Sequence, residues 1–92
     1  MKRTAFVTGG ASGIGLSICQ HLARAGHSVA VADHNGDGAE DAAQAIRDGG
    51  GQAIAVPVDV ADRSQIDKAV AAARGEFGPI GILGPTRAGG GW

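Results

Sequence analysis

Aromatic side chains are scarce in this chain of 92 residues: two Phe, one Trp and no Tyr. A core without large rings has to be assembled from Ala, Val, Ile and Leu, a composition that suits parallel strands covered by helices. Cysteine is nearly missing too. The single Cys19 cannot close an internal disulfide, which is compatible with a reducing cytoplasm. Its place on a helical face with Leu16 and Ala23 reads as a core thiol, against the alternative of a reactive one. Neither sign of charge dominates. Eight basic against nine acidic residues give a net charge of −1, and no basic block draws the chain to nucleic acid or an anionic membrane. Long hydrophobic runs are missing as well. After Met1-Lys2-Arg3, the apolar Ala5-Phe6-Val7 is interrupted by Thr8 and glycines, too soon for a signal peptide or a membrane span. The length permits one domain with a modest core.

What the chain has in quantity is glycine, 17 residues. The stretch Thr8-Gly9-Gly10-Ala11-Ser12-Gly13-Ile14-Gly15 stands between a short apolar run and a helical pattern. Strand, glycine turn, helix is the context that a dinucleotide-binding motif requires. Gly9 permits a tight turn at positive φ. Gly13 leaves the backbone N–H groups open to a pyrophosphate, and Gly15 lets the helix lie close. The helix N-terminus adds free donors and partial positive charge. A P-loop is excluded because Leu16 stands where its phosphate-binding lysine belongs. A structural loop is the plainer alternative for such a motif.

The rest of the chain repeats the pattern. Arg3–Thr8 reads as a first strand, and Ile14, Ile18 and Leu22 as the apolar stripe of a helix from Gly13 to Ala25, capped by Gly26. Ser28–Ala32 is a second strand, followed at once by Asp33. Asp37 and Glu40 have capping-box form before a helix that turns Ala39, Ala42, Ala43 and Ile46 inward. Gln52–Val58 is a third strand leading to Asp59-Val60. Asp62 and Gln65 cap a helix burying Ile66, Ala69, Val70, Ala73 and Phe77, and Ile80–Leu83 begins a fourth strand. The expected fold is α/β, the N-terminal half of a Rossmann-type doubly wound parallel sheet, βαβαβαβ with strand order 3-2-1-4. Residues 1–83 form its partial nucleotide-binding domain. Residues 84–92 are an irregular glycine-rich tail.

The TGGASGIG string resembles the cofactor loop of the short-chain dehydrogenase/reductase (SDR) family, T-G-x-x-x-G-x-G, and the resemblance runs from Met1 to about Leu83. It implies an NAD(P)-dependent oxidoreductase moving hydride between an alcohol and a carbonyl, usually as a homo-oligomer. It places Gly9, Ser12, Gly13, Ile14 and Gly15 at the pyrophosphate, with Ser12 capping the helix, touching a phosphate, or both. Asp33 falls where a carboxylate accepts the adenosine ribose hydroxyls, and the Asp59-Val60 pair where the family borders the adenine. An alternative for each Asp is an ordinary turn carboxylate. NADP-preferring members carry a basic residue after the ribose position or in the loop; here those places hold His34, Asn35 and Ser12, so NAD is expected over NADP.

The family's catalytic serine and its Y-x-x-x-K pair have no counterpart, since the chain holds no tyrosine and its lysines are Lys2 and Lys68. The family's Asn-Asn-Ala-Gly after the fourth strand is missing, and Gly81 replaces its Asp. No catalytic residue and no metal ligand is assigned. The chain is expected to bind the adenosine–pyrophosphate part of the cofactor without catalysing. Alternatives are a non-catalytic nucleotide-binding module and the inactive product of a frameshifted gene. For the last, a Leu-Val-Ser-Asn-Ala-Gly version written CTG GTG TCC AAC GCG GGC becomes Leu-Gly-Pro-Thr-Arg-Ala when the T of GTG is deleted, which is the string from Leu83 to Ala88.

Overall fold

The short apolar runs pair side by side as parallel strands. In the computed structural model, which describes residues 3–11, 13–59 and 61–83, β1 (Thr4–Thr8), β2 (Ser28–Asp33), β3 (Gln52–Pro57) and β4 (Ile80–Leu83) form one sheet of order β3-β2-β1-β4. Thr8 lies opposite Ala32, and Asp33 opposite Pro57, so the strands end together at one edge. The pairing of β1 with β4 slips between Thr4 and Ala5, which leaves Gly81 as the extra residue.

Successive strand residues point to opposite faces, and both faces are covered. Helices α1 (Gly13–Arg24) and α2 (Gly36–Asp48) pack on Ala5, Val7, Val29 and Val31. Helix α3 (Arg63–Phe77) packs on Phe6, Ala30, Ala32 and Val56 through Ala69 and Ala73. Every residue of β1 and β2 is therefore buried, the reason their sequences run apolar without alternation. The doubly wound sheet with order 3-2-1-4 is as expected, and the crossover to the opposite face occurs as the chain passes from β3 to β4 beside β1.

Three local expectations are corrected. The inward face of α1 is centred on Cys19, flanked by Leu16, Ile18, Leu22 and Ala23, while Ile14 is 79% exposed. At about 100° per residue, Ile14 lies roughly 140° round the helix from Cys19, so it cannot share that face. The cap of α2 is Asn35, whose side chain accepts from the Gly38 N–H at 3.0 Å; Asp37 is already inside the first turn, and Glu40 pairs with Arg47 at 2.7 Å. On α3, Phe77 is only half-buried, and its carbonyl accepts from the Thr4 hydroxyl at 3.2 Å.

Other signals hold. α1 ends in a Schellman motif, Gly26 N–H to Ala23 O and His27 N–H to Leu22 O. Asp62 caps α3, accepting from the N–H groups of Ser64 and Gln65. The glycine-rich tail from Gly84 lies outside the described residues. Among the described residues, no helix is long and apolar enough to cross a membrane.

Candidate functional site

The chain turns sharply where β1 ends. Gly9 has φ +67° and Gly13 φ +54°, a region that side chains rarely adopt. A Cβ on either would meet nothing within 4 Å, so their open sides face free space. Gly15 is the opposite case. A Cβ there would run into the Gly9 carbonyl oxygen and stand 3.1 Å from the Gly10 Cα, so helix α1 is seated on the turn itself. The first turn of α1 carries no acidic side chain of its own to offset the partial positive charge of the helix N-terminus.

The three strand ends are knitted together beyond the sheet. Gly10 N–H donates to Ala32 O at 3.2 Å, and Val58 N–H to Asp33 O at 3.0 Å. Asp33, the last residue of β2, is only 7% exposed. One carboxylate oxygen accepts from the Ala11 N–H at 3.1 Å and the other from the Asn35 N–H at 3.0 Å. The His34 ring lies with Nδ1 at 3.3 Å from Asp33 Oδ1, and its side chain is 84% exposed. Beyond β3, Asp59 is exposed and turns the chain, accepting from the Ala61 N–H at 2.9 Å, while its own N–H donates to the Gln65 side chain.

The structure thus brings Gly9, Gly13, Gly15, Asp33 and Asp59 to the carboxyl ends of β1, β2 and β3, with Ile14 exposed at the same end. That is where an open α/β sheet offers its crevice. Ser12 and Val60 lie outside the described residues. Two contributors were not legible. Gly10 fills a place where a Cβ would stand 2.9 Å from Val31 and 3.0 Å from the Cys19 sulfur, and the second of two adjacent glycines was the only signal for it. Ala11 acts through its main chain, which no side-chain pattern reveals.

Cys19 sits under this turn, fully buried. Burial pushes its thiol up to about 12, against a smaller lowering by a backbone hydrogen bond, so it is a neutral packing group as expected. At α3, hydrogen bonds from the Ser64 hydroxyl, then the Gln65 N–H, hold the Asp62 carboxyl below its ordinary range. Neither His21, whose ring meets the Ser17 carbonyl, nor His27, which accepts the Arg3 N–H, belongs to the strand-end cluster. Among the described residues, no group of His, Cys, Asp or Glu is arranged to hold a metal ion.

Comparison with known proteins agrees with this geometry. The chain is 40% identical over 82 residues to cis-4-hydroxycyclohexanecarboxylate dehydrogenase of Sinomonas cyclohexanicum, covering 89% of this chain and 32% of that protein. It is 38% identical over 81 residues to 2,3-dihydro-2,3-dihydroxybenzoate dehydrogenase of Bacillus subtilis (strain 168), covering 88% and 31%. The solved structure of a hydroxysteroid dehydrogenase from Escherichia coli superposes with a TM-score of 0.85 at 34% identity, covering 88% of this chain and 34% of that one. The chain spans about one third of the length of these relatives. The family described as short chain dehydrogenase matches residues 3–91, which carries the likeness past the Leu83 boundary expected from motifs alone. With that match over nearly the whole chain, on a sheet of the matching order, this protein belongs to the short-chain dehydrogenase family.

Proposed function

We propose that these residues supply the N-terminal cofactor-binding portion of an NAD-dependent short-chain dehydrogenase, holding the adenosine–pyrophosphate part of the dinucleotide and catalysing nothing by themselves. In this reading, residues 1–83 are the binding unit. Gly9, Ser12, Gly13, Ile14 and Gly15 form the pyrophosphate turn, Gly13 keeping its open side free for the ligand. Asp33 accepts the ribose hydroxyls, and Asp59 and the Val60 backbone border the adenine. The nicotinamide ring would supply the hydride chemistry. The proton transfer that accompanies it needs the family's Tyr and Lys, and these 92 residues contain no tyrosine.

The observation that carries the reading is the Asp33 carboxylate, held at the end of β2 by the N–H of a glycine-turn residue. A fixed negative charge there repels a 2′-phosphate, and its neighbours supply no Arg or Lys to offset it. Calorimetric titration with both dinucleotides tests this. Tighter binding of NAD than NADP is expected; equal or tighter NADP binding, or binding of neither, refutes it. NAD binding without turnover is the expected behaviour of the chain alone, and it is shared with a nucleotide-binding module that never had a catalytic partner. Measured alcohol oxidation by the chain would exclude both.

A further inference from the structure

Asp33 does more in this structure than wait for a ribose. Its two oxygens join two separate loops. Oδ2 takes the N–H of Ala11 in the β1–α1 turn, and Oδ1 takes the N–H of Asn35, the residue whose side chain caps α2. We propose that Asp33 is a positioning residue for the pyrophosphate turn, its carboxylate clamping Ala11 so that the glycine-turn N–H groups are already aimed before any ligand arrives. This deepens the cofactor-site reading given above and rests on it for the identity of the ligand.

The clamp has a clear geometric origin. Beyond Thr8 the backbone of β1 leaves the sheet, and the ladder with β2 continues for one more main-chain bond, Gly10 N–H to Ala32 O. The next N–H along the turn, that of Ala11, is met by a side chain, that of the next β2 residue. The two loops are also in close packing, since a Cβ added at Gly38 in the first turn of α2 would stand 3.1 Å from the Ala11 Cβ. A turn built of glycines loses much conformational entropy on ordering, so an anchor at its centre matters more than in an ordinary loop. Each carboxylate oxygen can accept two hydrogen bonds; Oδ1 has the Asn35 N–H and the exposed His34 ring beside it, and Oδ2 uses one position on the Ala11 N–H, so a ribose hydroxyl at Oδ2 need not displace the clamp.

The two roles of Asp33 predict opposite signs for a ligand without ribose hydroxyls. An Asp33 that serves only the ribose repels the diphosphate of such a ligand, so its neutralisation strengthens binding or leaves it unchanged. An Asp33 that positions the turn loses its grip on Ala11 in Asp33→Ala, which leaves no side-chain acceptor for the Ala11 N–H, and binding weakens. The probe is 2′,3′-dideoxyadenosine diphosphate, titrated against wild type and Asp33→Ala well below their unfolding temperatures. The clamp predicts a loss of about fivefold to tenfold; unchanged or tighter binding overturns it. Amide exchange in the ligand-free proteins separates this from the cofactor reading. Ala11 should exchange at least about fivefold faster in the variant, while Ala39 in the first turn of α2 stays as it was. If wild type binds no nucleotide but Ala11 behaves this way, the cofactor reading fails and the clamp stands. If Ala11 exchanges equally in both, the clamp fails. Should Asp33→Ala not fold, the wild-type chain decides alone. A scalar coupling across the hydrogen bond between the Ala11 nitrogen and the Asp33 carboxyl carbon is expected, and its absence overturns the proposal.

Discussion

Replacing Gly15 by Ala and Gly75 by Ala makes the same chemical change inside two helices, and the structure predicts opposite results. At Gly75, in α3, a Cβ would meet nothing within 4 Å, and the backbone is helical. Gly75→Ala should stabilise by about 0.5–1 kcal/mol through helix propensity and a less entropic unfolded chain. That corresponds to a rise in Tm of roughly 4 °C for a domain of this size. At Gly15 the same propensity gain is overwhelmed. The new Cβ collides with the Gly9 carbonyl oxygen, stands 2.7 Å from the Gly9 carbonyl carbon and 3.1 Å from the Gly10 Cα, all main-chain atoms that cannot rotate away. Overpacking of this kind costs about 1–3 kcal/mol, so the net change is a loss of about 0–2 kcal/mol. The displaced segment is the candidate pyrophosphate turn itself, so affinity for NAD should fall further than stability does. Thermal unfolding followed by circular dichroism, with calorimetric titration of NAD at a temperature where both variants are folded, gives the two numbers. Equal Tm shifts for the two variants, or Gly15→Ala binding NAD as tightly as wild type, would refute the seating of α1 on the glycine turn.

Asp33→Ala should narrow the preference for NAD over NADP while weakening both, and a preference that stays unchanged would remove the carboxylate from cofactor selection. Asn35→Ala should cost about 1 kcal/mol in denaturant unfolding as a lost helix cap, whereas Asp37→Ala, which removes no cap, should cost clearly less. The Cys19 thiol is raised in the folded state, so its contribution is fully present below about pH 9 and is lost as pH climbs towards 12. Urea unfolding should show stability falling across that window by no more than about 1.4 kcal/mol per pH unit from this group, and Cys19→Ala should remove that slope. Asp62 has the opposite sign, since its carboxyl is lowered in the folded state. Its contribution is present above about pH 4 and fades as pH falls through the lowered value, so Asp62→Ala should flatten the acid limb of the same experiment.

The sheet was legible because each strand is a short apolar run bounded by glycine or aspartate, and a strand buried on both faces shows no alternation to misread. Asp33 was legible for the same reason: a carboxylate directly after such a run can only lie at the strand's end. Helix α1 was misread in part because a strict spacing of four drifts by about 40° at every step. Ile14, Ile18 and Leu22 therefore trace a spiral, with only the later two against the sheet. The cap of α2 was misplaced because His34-Asn35-Gly36-Asp37-Gly38 offers two capping side chains two residues apart. Both precede a glycine, and the choice depends on where β2 ends. The bond from Ala11 to Asp33 was beyond reach, because its donor is a main-chain N–H whose direction follows from the turn and not from any side chain.

The central claim is that a dinucleotide lies across the carboxyl ends of β1, β2 and β3, and amide chemical-shift mapping on the chain as NAD is added tests it most directly. The account predicts the largest changes at Ala11, Gly13, Ile14 and Gly15, at Asp33 and His34, and at Asp59, with the amino-terminal ends of the strands, such as Thr4 and Ser28, unmoved. Shifts centred elsewhere on the sheet, or none at saturating NAD, would contradict it.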